Sequence, residues 1–173
     1  LFGGYHSTDG YRENNEYRVK DVGGKIIIDP TDRLSLKLSG SFHSDEYGLP
    51  GVLSEEEYER DPRTSDDPLD EGDTSDHYIQ AGFELDLVGW GLLSSDFSFR
   101  TRENKSEYPD PSFPFVTESE IDTFGVTPRY VWDSDIKGHK NTLIVGVDMY
   151  WIDQELNSFS GSFTPVVSPS GRD

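Results

Sequence analysis

The sequence predicts an all-β protein, an antiparallel up-and-down meander of about six strands with short turns at one end and long loops at the other. Three observations carry this. Hydrophobic residues recur at every second position in separate stretches of the chain, the period of a strand with one apolar and one polar face. The connections between those stretches alternate between short and long. No stretch shows a 3.6-residue period, so no helix is expected.

The elements follow in order. A weaker strand lies in 15–28 and ends in Lys25-Ile-Ile-Ile28. Asp29-Pro-Thr-Asp-Arg33 forms a tight turn, because Pro30 fixes φ and Asp closes turns with its own side chain. In 34–43, Leu34, Leu36, Leu38 and Phe42 share a face, opposite Ser35, Lys37, Ser39, Ser41 and His43. A long loop is expected over about 44–76. In 77–87, Ile79, Ala81, Phe83 and Leu85 oppose Gln80, Glu84 and Asp86, and Val88-Gly-Trp-Gly91 is a second short turn. In 92–102, Leu93, Phe97 and Phe99 oppose Ser94, Asp96, Ser98, Arg100 and Arg102, before a second long loop over about 103–120. In 121–132, Phe124, Val126, Tyr130 and Trp132 oppose Thr123, Thr127 and Arg129. Pro128 cannot donate to a ladder, so a bulge or a missing bond is expected there. Asp133–His139 is the third turn, 141–151 the sixth strand, and a third loop starts at 153.

Composition removes several classes. With no cysteine, a disulfide scaffold and a Cys-ligated metal are excluded. No apolar run approaches the roughly 18 residues of a membrane helix. Fifteen basic against 34 acidic residues leave a net charge of −19, which disfavours nucleic acid as a partner. An aromatic content of 13% argues against disorder, despite only 32% hydrophobic residues. The charge is concentrated: 45–76 holds thirteen acidic and two basic residues.

Two architectures share the period-two pattern. A sandwich turns its apolar faces inward, and a transmembrane barrel turns them to lipid and its polar faces to a lumen. Three features weigh toward the barrel. The polar face carries Lys37, Glu84, Asp96, Arg100, Arg102 and Arg129, which suit a wet interior. Aromatic residues collect near the strand ends, with Trp90, Tyr130 and Trp132 at the short-turn end and Phe42, Tyr47, Tyr150 and Trp151 at the other. Strict alternation of short turns and long loops fits a barrel better than a Greek-key sandwich.

Asp9-Gly-Tyr-Arg-Glu-Asn-Asn-Glu-Tyr17, Asp21-Val-Gly-Gly-Lys25, Asp29-Pro-Thr-Asp32, Leu34-Ser-Leu36 and His43-Ser-Asp-Glu-Tyr-Gly-Leu-Pro-Gly51 together resemble the barrel of TonB-dependent outer-membrane receptors. Phe124-Gly-Val-Thr-Pro-Arg-Tyr130 and Asn141-Thr-Leu-Ile-Val-Gly-Val147 are similar to the same barrel, so the likeness covers about 9–51 and 121–152. The resemblance implies energised uptake of a scarce nutrient, such as a ferric siderophore or cobalamin, at the bacterial outer membrane. It implies lipid and lipopolysaccharide as surroundings, the inner-membrane TonB complex as energy source through a plug, and no enzymatic activity or cofactor. The family's plug and TonB-engaging motif have no counterpart in these residues. Barrels of this kind have about 22 strands, so 1–173 is expected to be part of a larger barrel. The alternatives are a soluble carbohydrate-binding sandwich and a smaller barrel of structural or adhesive role.

Candidate ligand contacts are Arg100, Arg102 and Arg129 on the expected lumen face and Tyr47, Tyr58 and Tyr108 in or beside the long loops. The arginines suit an anionic ligand, although pairing with Glu84 and Asp96 on neighbouring strands would also account for them. Asp66, Asp67, Asp70, Glu71 and Asp73 are candidate ligands for a hard cation, and the plainer expectation is a solvated loop kept extended by its own charge. Asp133-Ser-Asp-Ile-Lys-Gly138 resembles half of a calcium loop but lacks a Glu at the twelfth place, so it reads as a polar turn. His6, His43, His77 and His139 are too scattered for a metal motif.

Overall fold

The computed structural model describes residues 1–110 and 113–160 and the backbone of 164–167. These residues form one antiparallel sheet of nine strands: β1 (Phe2–Thr8), β2 (Tyr17–Thr31), β3 (Leu34–Gly48), β4 (Glu71–Asp86), β5 (Leu92–Tyr108), β6 (Phe115–Ile136), β7 (His139–Gly146), β8 (Met149–Ser160) and β9 (Thr164–Val167). Strands β7 and β8 both pair with β6 and are two halves of one strand in space, so every element lies beside its neighbour in the chain. No second sheet packs on this one among the described residues, as a sandwich would require.

The register lines up the two faces across the whole sheet. One row runs Ile26, Leu38, Ala81, Phe97, Val126, Met149; the row of Gly40 runs through Ile79, Phe99, Phe124 and Trp151. These side chains have no protein cover: Ile26 is 59% exposed, Ile79 53% and Trp151 55%. Only Val19 counts as a buried hydrophobic residue among those described. The opposite face carries Asp21, His43, Asp76 and Arg102 in one row.

The strands run further than the apolar stretches indicate. The first long loop is residues 49–70 instead of 44–76, and the second is residues 109–114 instead of 103–120. Strand β8 continues to Ser160, so a third loop cannot begin at 153, and the rest of that expected loop lies outside the described residues. In these extensions both faces are polar, as in Glu103-Asn-Lys-Ser106, so no period-two signal survives although the ladder does. The estimate of six strands also missed β1. The same parity corrects the aromatic belts: Tyr47 and Tyr150 point to the polar face, while Phe42 and Trp151 point to the apolar one.

One short helix, α1 (Glu55–Arg60), stands in the first long loop. It is too short to show a helical period, but its start is a capping box. The Ser54 N–H donates to Glu57 Oε2 at 2.9 Å, and the Glu57 N–H donates to Ser54 Oγ at 3.4 Å.

The short turns all lie at one end. Lys137 and Gly138 close β6–β7 with φ of 55° and 81°, a two-residue turn with both residues left-handed. Asp135 accepts the Gly138 N–H at 2.7 Å and Asp133 accepts the Thr142 hydroxyl, so the carboxylates of the calcium-like motif serve the turn. Pro128 leaves a missing bond and not a bulge. The pairing lapses where Thr127 and Pro128 face Val147 and Asp148, yet the register on both sides of the lapse is the same. The Pro128 carbonyl still accepts the Val147 N–H at 3.1 Å, while pairing with β5 on the other side is continuous.

Two glycines let rings lie on the polar face. Gly72 sits under Tyr47 and Gly125 under Tyr150. A Cβ at Gly125 would stand 2.6 Å from Ser98 Oγ and 2.8 Å from the Tyr150 ring. Gly125→Val is expected to lower stability by about 1–3 kcal/mol through overpacking, read as a lower midpoint in urea unfolding; an unchanged midpoint would refute this packing role.

Candidate functional site

Three strands shape a hollow of about 500 Å³ on the polar face: Ser41 and His43 from β3, Thr74, Asp76 and Tyr78 from β4, and Arg100 and Arg102 from β5. Alternation puts all seven on one side, because each pair within a strand is separated by two residues. The Arg100 guanidinium lies across the Asp76 carboxylate, with Nε donating to both oxygens at 3.0 Å and Nη2 adding a further bond to Oδ2. This fork fixes the plane of Arg100. The expected partners are therefore not the ones used. Register sets Arg100 opposite Tyr78, with Asp76 diagonal to it, whereas Glu84 takes Lys37 at 3.1 Å and Asp96 lies over Gly82. Arg102 has no hydrogen-bond or ion-pair partner among the described residues and is exposed in the hollow.

Beside the arginines stands a group that the sequence reading passed over. His43 Nδ1 is 2.7 Å from Asp21 Oδ1, and its Nε2 is 3.1 Å from Asp45 Oδ2. The row Asp21, His43, Asp76, Arg102 alternates acid and base across four strands. His43–Asp45 spacing was visible in the chain, but Asp21 is brought in only by the β2–β3 register.

The other candidates are dispersed. Arg129 stands opposite Ser94, six residues down β5 from Arg100, or roughly 20 Å along the strand. It lines a separate hollow with Lys37, Glu84, Asp96 and Asp148. Tyr47 and Tyr108 lie higher on the polar face, Tyr108 with its ring 6.0 Å from Phe115. Tyr58 is on α1 and 63% exposed.

The long-loop end is a folded rim and not an extended acidic tail. Arg12, in the loop between β1 and β2, donates to the carbonyls of Gly51 at 2.7 Å, Pro50 at 2.9 Å and Thr64 at 3.1 Å. Asn14, with φ of 51°, donates to the carbonyls of Asp67 and Asp70, each at 2.7 Å. The Glu13 N–H donates to the Arg63 carbonyl at 2.7 Å, and Arg63 stacks on Tyr11 at 5.5 Å. This clasp gathers loop carbonyls that would otherwise need water. Among the described residues no three acids or histidines converge as a metal site, so Asp66, Asp67, Asp70, Glu71 and Asp73 form no common ligand set here. Burial, then the charges of Asp67 and Asp110, hold the Asp70 carboxyl above its ordinary value.

No family model matches the chain, and no curated protein matches it. Among solved structures, the chain is similar to the ferric citrate transporter FecA in its unliganded form, with a TM-score of 0.74 at 18% identity. The likeness is one of fold. It covers 97% of this chain but 25% of that transporter, so the chain spans about a quarter of its structural neighbour's length. A nine-stranded meander with one bare apolar face therefore has a counterpart within a larger known chain.

Two outcomes follow from the rim. Arg12→Ala removes three bonds, leaving the Gly51 and Thr64 carbonyls unpaired while Pro50 keeps its bonds from Ser65 and Asp66. It is expected to raise the rate of proteolytic cleavage within 49–70 at least tenfold, from a local loss of about 2–4 kcal/mol; equal cleavage rates would show that the clasp does not order the loop. Asp70 is raised in the folded rim, so folding favours its protonated form. Rim stability is then fully present below the ordinary value of 3.8 and falls as pH rises through the raised titration. Asp70→Asn is expected to flatten that dependence and to protect the rim at neutral pH, measured by hydrogen exchange.

Proposed function

We propose that this chain is a wall segment and loop rim of a bacterial outer-membrane β-barrel receptor that takes up a scarce anionic nutrient, such as a ferric siderophore, by the TonB-dependent route. The observation that carries the reading is the single-layer sheet with a bare apolar band on one face and paired and unpaired charges on the other. In β3 the band runs from Leu34 to Phe42. Nine residues span about 30 Å along a strand and, at a tilt of about 45°, roughly 21 Å across a bilayer. The lipid-facing band of outer-membrane barrels is about 25 Å tall. The polar face then lines a lumen, with Arg102 as an available guanidinium for a carboxylate or catecholate.

In this reading the wall is a passive conduit and not an enzyme. The remaining strands and a plug complete the barrel, lipid and lipopolysaccharide surround it, and the TonB complex acts through the plug. The unpaired Arg102 guanidinium favours an anionic ligand, such as a ferric siderophore, over cobalamin, and the fold likeness to a ferric citrate transporter supports the barrel wall. The bare apolar face weighs against the soluble carbohydrate-binding alternative, since that face would have to be covered in water.

The test is ligand binding by the full protein in detergent or proteoliposomes, with ferric citrate and a ferric catecholate as probes. Arg102→Ala is expected to weaken the binding of at least one probe by roughly tenfold to a hundredfold, with heat-modifiable gel migration unchanged. Water-soluble, monomeric protein that unfolds cooperatively without detergent would overturn the proposal.

A further inference from the structure

We infer that the protonation of His43 sets the affinity of the Arg102 hollow for its anion. This deepens the reading above and rests on it. A carboxylate only accepts hydrogen bonds, so an imidazole held between two carboxylates needs an N–H on both nitrogens, which is the imidazolium. His43 is in that position, 2.7 Å from Asp21 and 3.1 Å from Asp45. It also lines the same hollow as Arg102.

The charge count shows what the proton does. Around the hollow stand three carboxylates, Asp21, Asp45 and Asp76, and two guanidiniums, Arg100 and Arg102. With His43 neutral, the patch is negative by one charge. With His43 protonated, it is neutral, and Arg102 meets an incoming anion without a net opposing field. The other titratable groups facing this cluster are Tyr17 on β2, Tyr47 on β3, Tyr78 on β4 and His6 on β1. His6 stands opposite Val19, on the far side of β2 from His43.

Asp45 adds a second observation. Its Oδ1 is buried with no hydrogen-bond partner, while its Oδ2 engages His43. Loss of the His43 proton would leave this carboxylate without its cation, on the wall of the hollow. The device therefore reads external acidity directly at the binding surface: acid closes the histidine between its carboxylates and favours capture, and alkali restores a negative wall and favours release.

The experiment measures ferric citrate binding by the full protein in detergent between pH 5.5 and 8.5, for wild type, His43→Gln, Asp45→Asn and Arg102→Ala. Wild-type affinity is expected to fall roughly fivefold as pH rises, the size of one unit charge acting at several ångströms near a wet surface. His43→Gln should be weak and flat, and Asp45→Asn tighter than wild type at every pH while keeping a slope, because His43 still titrates against Asp21. The two variants change the cluster in opposite directions, so a folding defect in one cannot imitate both. A wild-type slope that persists in His43→Gln places the titration elsewhere, in the probe or another group, and overturns the inference. Binding that is independent of pH yet lost in Arg102→Ala overturns the inference and leaves the anion site standing. No binding at any pH, or binding indifferent to Arg102→Ala, removes the anion site and the inference together.

Discussion

The interstrand backbone ladder is the interaction on which everything else depends. A globular domain of this size would hide a core between layers, and here there is none: one sheet, with Val19 its only buried hydrophobic residue among those described. Side-chain burial within the chain therefore contributes little, and the continuity of N–H to carbonyl pairing contributes most. Such a sheet is stable only where its apolar face meets something other than water and its outer strands find further strands. Both demands are met by closure into a barrel in a bilayer. The tolerance shown at Pro128 follows from the same constraint, since one lost bond is accepted where register, and so the assignment of every side chain to its face, is kept.

The ladder also explains how much could be read from the chain. Where one face is apolar, as in Leu34–Phe42 or Phe124–Trp132, alternation revealed strand and face together. Where apolar residues stop alternating, as in 103–107 and 153–160, the same backbone geometry leaves no pattern, so loops are expected where strands stand. Strand β1, with its Gly-Gly pair, was missed for the same lack of alternation. The helix was announced by Ser54 and Glu57, a local signal that periodicity could not see. The site was half legible. Arg100 and Arg102 were found because parity alone sets their face, but the choice of Asp76 over Glu84 or Asp96 depends on register between strands. Asp21 next to His43 and Arg12 beneath residues 50, 51 and 64 are contacts between distant parts of the chain, which composition and spacing do not encode.

The large negative charge takes on a different meaning once positions are known. On the polar face, acids are matched with bases, Asp76 with Arg100 and Glu84 with Lys37, leaving Arg102 and Arg129 without partners among the described residues. The excess sits in the rim and on the outer side of the strand extensions, where Glu103, Glu120 and Glu155 stand in one row. Like charges in register are unfavourable for pairing, so the ladder there is held by backbone bonds against its own side chains. The polar face thus pairs much of its charge along the strands, and the negative excess gathers at the long-loop end.

The clasp of Arg12 and Asn14 has a mechanical consequence. Each of these residues belongs to the short loop between the first two strands, yet the carbonyls they hold belong to a segment some forty to fifty residues further on. Two loops that could have moved separately are therefore one body, hinged where their strands end. A change of length in either loop would pull the other out of its hydrogen bonds, so the lengths of the two are constrained together.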